Sequence, residues 1–315
     1  DTILNTVVLE LNDNPNRMFT WVEISFFSRW WREQSVEKQK MVKRFVKTGQ
    51  LQFALGHWTM ADEAVTYYAD VIENAEQGMR FLEHHFGSTC GRPLVGWQVD
   101  PFGHSTAFRE FFKEFGYDGF FIGRIDHEDY HHRMNNDQLE FMWGDMWTSV
   151  NYNVYRQPPD FCWDVSCDNY RESNVQNNGF MVDDADLQGY NIEERVDEFL
   201  EHIEARSGYT TDNFMITMGN DFHYINANKY FVNIDKLIHY VNLLRGDKYN
   251  AFYSTPTCYM KAVKESKATS DKPDWPVKQA ETDFFPYCDG YFIPYEPYNS
   301  SAYEDGNLSN YHGYW

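Results

Sequence analysis

The chain has 315 residues, 18% aromatic side chains and a net charge of −21, a globular composition large enough for one broad core or two smaller ones. That acidity argues against nucleic acid, since a phosphate backbone needs Lys and Arg, and it suits solubility and an acidic compartment. No apolar run reaches the roughly 18 residues that would span a bilayer, so no membrane span is expected.

Apolar residues at 3, 4, 7, 8 and 11 give the first stretch helical spacing. The chain thus opens inside a helix with neither an initiator Met nor a leader, and reads as a processed fragment or a partial sequence. Strands are predicted at 19–24, 51–56, 94–100, 118–124, 139–144, 214–221 and 249–255, and helices over about 26–48, 62–86, 105–115, 192–206 and 228–245. Gly49, Gly87 and Gly116 stand where C-terminal helix caps belong, and Asp62 and Ser105 where N-caps belong. The alternation implies a parallel sheet, and runs apolar on both faces suit strands covered on both sides, as in a β/α barrel. Residues 150–190 read as a long functional loop, and 289–311 as another surface loop.

In such a barrel the site lies at the C-terminal strand ends. Reading those ends gives Glu23, Gly56-His57, Asp100, Arg124, Asn220 and Asp221. Two carboxylates facing one pocket, Asp100 and Asp221, are the equipment of a glycosidase: one attacks the anomeric carbon, the other protonates the leaving oxygen. The plainer alternatives are helix capping for each aspartate, pairing with Asp126 or Glu128 for Arg124, and packing for His104.

Five cysteines and the sequons at Asn299 and Asn307 favour a secretory or lysosomal route over free thiols in the cytosol. Cys162 and Cys167, separated by four residues in the long loop, are expected to form a local disulfide.

The stretches "GWQVDPFGHS" and "FGYDGFFIGRID" resemble the core signature of glycoside hydrolase family 38, the zinc-dependent retaining α-mannosidases. "FFSRWWREQ", "GHWTMADEA", "CWDVSC", "MGNDFHYINANKYF" and "TDFFPYCDG" follow that family's order over nearly the whole chain, and Asn220 before Asp221 is similar to the lysosomal branch. The resemblance implies a distorted seven-stranded β/α barrel, lacking its first strand here, with helical-bundle and β-sandwich domains in companion segments of the same precursor. It matches Asp100 with the nucleophile and a zinc ligand, and Asp221 with the acid/base. Phe102 is matched with an aromatic beside the sugar, Arg124 with an arginine that steadies the nucleophile, and Tyr155 with a sugar-contacting tyrosine. The substrate class implied is mannose-containing oligosaccharide, the localisation lysosomal or secreted. Cys258 is matched with a cysteine that bridges to an N-terminal region.

The chain also departs from the family pattern. It offers one of four zinc ligands: the family's His-x-Asp pair has no counterpart at a first strand, since His127-Glu128-Asp129 follows the Arg124 strand, and the later His ligand is missing as well. His57 stands where the family has glycine. A competing expectation is therefore a glycan-binding or structural relative without turnover. A zinc deacetylase would want a His-x-x-x-His pair, which occurs only in a polar stretch, 127–131.

Overall fold

A computed structural model describes residues 1–165, 167, 179–271 and 274–285. Cys288, both sequons, the expected 289–311 loop and part of the expected 150–190 loop lie outside the described residues. The first helix, α1 (Thr2–Asp13), buries Leu4, Val7, Val8 and Leu11, the stripe its spacing predicts. The strand β1 (Phe19–Trp21) pairs in parallel with β2 (Leu51–Phe53).

The helix expected over 26–48 is two: α2 (Ile24–Arg32) and α3 (Val36–Thr48). Ser35 is the reason, because its side chain accepts from the Lys38 amide at 3.3 Å and starts a new helix there. Gly49 ends α3 in the left-handed region at φ 83°. Asp62 does not cap the next helix. Its carboxylate closes a turn on the Ala64 amide at 2.8 Å, and α4 begins later (Tyr68–Cys90). Gly87, at φ 82°, kinks α4 and does not end it.

Next come β3 (Val95–Gln98), α5 (Thr106–Glu114), β4 (Gly119–Ile122), α6 (His127–Asn135), β5 (Glu140–Trp143) and β6 (Met146–Val150). Ser105 caps α5 as predicted. Helix α6 is too polar to show an apolar stripe; its legible mark was Asp126, whose carboxylate accepts from the Glu128 and Asp129 amides. The run 139–144 is one arm of a hairpin, turned at Gly144-Asp145 with Gly144 at φ 60°. It is β6, not β5, that lies beside β4 in parallel. The chain continues through α7 (Ile192–Glu204), α8 (Ala227–Arg245), α9 (Pro256–Ala268) and β7 (Val277–Lys278). Thr255 as N-cap and Pro256 in the first turn start α9, a signal missed beside the apolar run before it.

Among the described residues the seven strands form two sheets, β1-β2 and β3-β4-β6-β5-β7, not one closed ring. The Leu55 amide donates to the Val95 carbonyl at 2.9 Å and carries the parallel order from the first sheet to the second. Two predicted strands, 214–221 and 249–255, join neither ladder. Side chains occupy their backbone groups instead. Arg206 donates to the Met215 carbonyl, and Asn242 takes both the amide and the carbonyl of Ala251 at 2.8 and 2.7 Å. Both segments still pack their apolar residues on the core, Ile216 and Met218 in one and Tyr253 in the other. The class is α/β, and the ends of β1 and β3 border one cavity.

Candidate active site

Asp100 follows β3, and its side chain is 53% exposed toward a cavity of about 990 Å³. Glu23, Trp97, Phe102, Tyr155, Asn220 and Asp221 share that cavity wall. The apolar strand brings the chain to the rim, and Pro101 and Gly103 turn it back toward α5. Arg124, just past β4, reaches Asp100 with two donors: Nη2 to Oδ1 at 2.9 Å and Nε to the backbone carbonyl at 3.0 Å. A two-point grip fixes both the side chain and the backbone that carries it. The same guanidinium lies 6.0 Å from the centre of the Phe102 ring.

The Tyr155 hydroxyl donates to Asp100 Oδ1 at 3.3 Å. It is also hydrogen-bonded to the Asp221 carboxyl, so one phenolic oxygen stands between the two acids. Both of these side-chain contacts of Asp100 fall on Oδ1. The two acids are not equivalent. Partial burial, and after it the Asp100 charge, raise the Asp221 pKa, against the opposing pull of Arg156, Arg124 and Tyr155. The rise favours the protonated form of Asp221 relative to an ordinary carboxylate, while Asp100 is paired with the Arg124 cation, so the two acids sit in unlike surroundings.

The loop carrying Asp221 is under backbone constraint. Phe222 and Tyr224 take left-handed φ of 61° and 66°. The loop is held by buried His223, whose Nδ1 lies 2.7 Å from the Tyr230 hydroxyl, and by the Tyr224 carbonyl, which accepts from Thr6 at 2.8 Å. Behind His223 lies the predicted disulfide, Cys162–Cys167, with sulfurs 2.07 Å apart. These two sulfurs and His223 form the one group of three potential metal donors among the described residues. Paired with each other, the sulfurs are not thiolates and offer a metal little.

Zinc wants four N, O or S donors around it. The described residues near Asp100 do not assemble even three, so this part of the chain does not by itself make a zinc site. Cys258 is an exposed thiol in the first turn of α9.

Sequence reasoning placed Glu23, Asp100, Asn220 and Asp221 at one rim, and the structure brings them together there, with Arg124 and Tyr155 on Asp100. It missed Arg156, which faces Asp221 from an irregular segment with no periodicity to announce it. His57 does not join them. Its ring packs against Phe112, Phe115 and Tyr117, on and just beyond α5, with centroids 5.5, 5.5 and 6.0 Å away. Burial lowers its pKa from 6.5 to about 3. The unfolded chain takes up this proton below pH 6.5 and the folded chain does not until about pH 3. The stability His57 allows is therefore whole above pH 6.5 and is lost as pH falls toward 3. The loss is about 3 kcal/mol at pH 4.5. Urea unfolding of His57→Phe at pH 7 and pH 4.5 should show a pH penalty smaller by that amount; an unchanged penalty would mean the ring is not buried neutral.

The family profile described as "Glycosyl hydrolases family 38 N-terminal domain" matches residues 1–290. The chain therefore belongs to glycoside hydrolase family 38. It is 41% identical to the lysosomal alpha-mannosidase of Cavia porcellus over 95% of this chain and 29% of that protein. The human lysosomal alpha-mannosidase is 40% identical over 91% and 28%, and the alpha-mannosidase of Canavalia ensiformis 37% over 92% and 28%. The chain thus spans under a third of the length of these relatives. A crystal structure of an alpha-mannosidase from Enterococcus faecalis V583 superimposes with a TM-score of 0.60 at 15% identity, over 93% of this chain and 29% of that one, and so shares the fold.

Proposed function

We propose that this chain is the catalytic part of a retaining α-mannosidase that removes terminal α-mannose from N-glycans in a lysosomal or secretory setting. The observation that carries the reading is the pair Asp100 and Asp221 in one cavity, joined through Tyr155 and held in unlike electrostatic surroundings. Membership of the family, and relatives named as lysosomal alpha-mannosidases, supply the substrate class and the compartment. Among the described residues no helix is long and apolar enough to cross a membrane. The distorted seven-stranded barrel, the helical-bundle and β-sandwich domains, the companion segments and zinc, with Asp100 as one ligand, belong to the same reading as expectations from the family resemblance.

Both chemical steps can be written with this chain's own residues. Asp100 Oδ2 attacks the anomeric carbon as the glycosidic C–O bond breaks, and Asp221 gives its proton to the departing oxygen. Arg124 and Tyr155 keep Oδ1 oriented so that the free oxygen faces the sugar, with Phe102 against the ring. In the second step water attacks the anomeric carbon of the ester. Asp221, now a carboxylate, takes the water proton, and the Asp100 carboxylate leaves. Two inversions return the α-configuration.

The test is the first-formed product from an aryl α-mannoside, followed by proton NMR in the purified full-length protein. α-Mannose is expected. β-Mannose would overturn the retaining mechanism, and sugar binding without turnover would favour the glycan-binding reading instead.

A further inference from the structure

The carboxyl side chain of Glu63 is fully buried, 0% exposed, and no step above uses it. It lies in the irregular connection between β2 and α4, yet its carboxyl hydrogen bonds go to the segment around Asp100. Oε1 accepts from Gln98 Nε2 at 3.1 Å and sits 2.8 Å from His104 Nδ1. Oε2 accepts from the Ser105 amide at 2.7 Å. Gln98 is the last residue of β3, and Ser105 is the N-cap of α5. The six residues between them, 99–104, carry Asp100 and Phe102. One carboxylate therefore holds both ends of the loop that presents the proposed nucleophile and the aromatic beside it.

We infer that Glu63 is a positioning residue that sets how far Asp100 reaches into the cavity; this rests on the reading of Asp100 as nucleophile. Three donors converge on two oxygens, and a buried carboxylate so engaged is rigid. Gln98 ties the arrangement back to Glu63's own segment, since the same Nε2 donates to the Ala61 carbonyl at 2.9 Å. Arg124 holds Asp100 from the β4 side, so the loop is fixed from two directions. Without Glu63, Arg124 would still bind the carboxylate, but the backbone that carries it could slide toward or away from the sugar. An error of about 1 Å at a reacting atom costs about 10²-fold in rate.

Glu63→Gln is nearly isosteric but cannot accept from all three donors. In the full-length protein it is expected to lower kcat for an aryl α-mannoside about 10²-fold with little change in KM, while a cooperative thermal melt is retained. Gln98→Met, which breaks one arm, is expected to cost about tenfold by the same argument and decides the matter if Glu63→Gln does not fold. Gln50→Ala removes buried hydrogen bonds to the Leu11 and Asn14 carbonyls, far from the loop, and should lower the melting temperature without lowering kcat. Wild-type kcat in a folded Glu63→Gln or Gln98→Met would overturn the inference. So would an equal loss in Gln50→Ala, which would mark the effect as general destabilisation. Asp100→Asn in the same assay separates the two claims: if it is inactive while Glu63→Gln is fully active, only the clamp fails; if it is active, the reading beneath it fails.

Discussion

Asp100→Asn is expected to reduce α-mannoside hydrolysis by at least about 10⁴-fold, the scale seen when a covalent nucleophile is removed. The amide has nearly the same shape, so Arg124 and Tyr155 can still find an oxygen at the Oδ1 position, and folding should be little affected. It carries no negative charge to form the ester, and good leaving groups will not rescue it, because bond formation at the anomeric carbon is what is lost. A second consequence follows from the raised Asp221 pKa. Part of that rise comes from the Asp100 charge, so Asp221 should ionise at lower pH in Asp100→Asn, a change that carboxyl chemical shifts would follow across a pH titration.

Asp221→Asn is expected to behave differently. General acid catalysis contributes about 10²- to 10⁴-fold, and it matters most where the departing oxygen is strongly basic. A mannosyl disaccharide should lose that full factor, while an aryl mannoside with an acidic phenol should keep its first step almost intact and then stall at hydrolysis of the ester. The wild-type fall in kcat/KM on the alkaline side should vanish with the same substitution, since that limb reports loss of the Asp221 proton. Equal losses in kcat/KM, which reports the first step, on both substrates would count against Asp221 as the acid.

The site was legible where an apolar run ended on an ionisable residue. Asp100 and Arg124 follow two adjacent parallel strands, β3 and β4, so the strand pattern alone predicted their neighbourhood. Tyr155 came from the family resemblance, for it sits in an irregular segment with no period to read. Asp221 was read at the end of a strand that does not form, and it lines the same cavity as Asp100 nonetheless. Its segment keeps the apolar residues of a strand, but its Met215 and Gly219 carbonyls are taken by the Arg206 side chain and the Gln157 amide, neither of them on a neighbouring strand. The β5–β6 hairpin was hidden because both arms are aromatic and buried, so only Gly144 marked the turn. Glu63 stood in a quoted motif, but its importance lies in contacts to residues 98, 104 and 105, which spacing cannot show. His57 was read at the rim because strand ends point there; aromatic rings of α5 drew it into the core instead.

The central claim is that Asp100 attacks the anomeric carbon, and the most direct measurement is the position of the bond it forms. A mannosyl fluoride whose ring carries a second fluorine to slow ester hydrolysis should leave one sugar on the protein. Peptide mass spectrometry should then place it on Asp100, in the peptide that contains "GWQVDPFGHS". A stable adduct on Asp221, or steady turnover of the reagent by Asp100→Asn, would contradict the account.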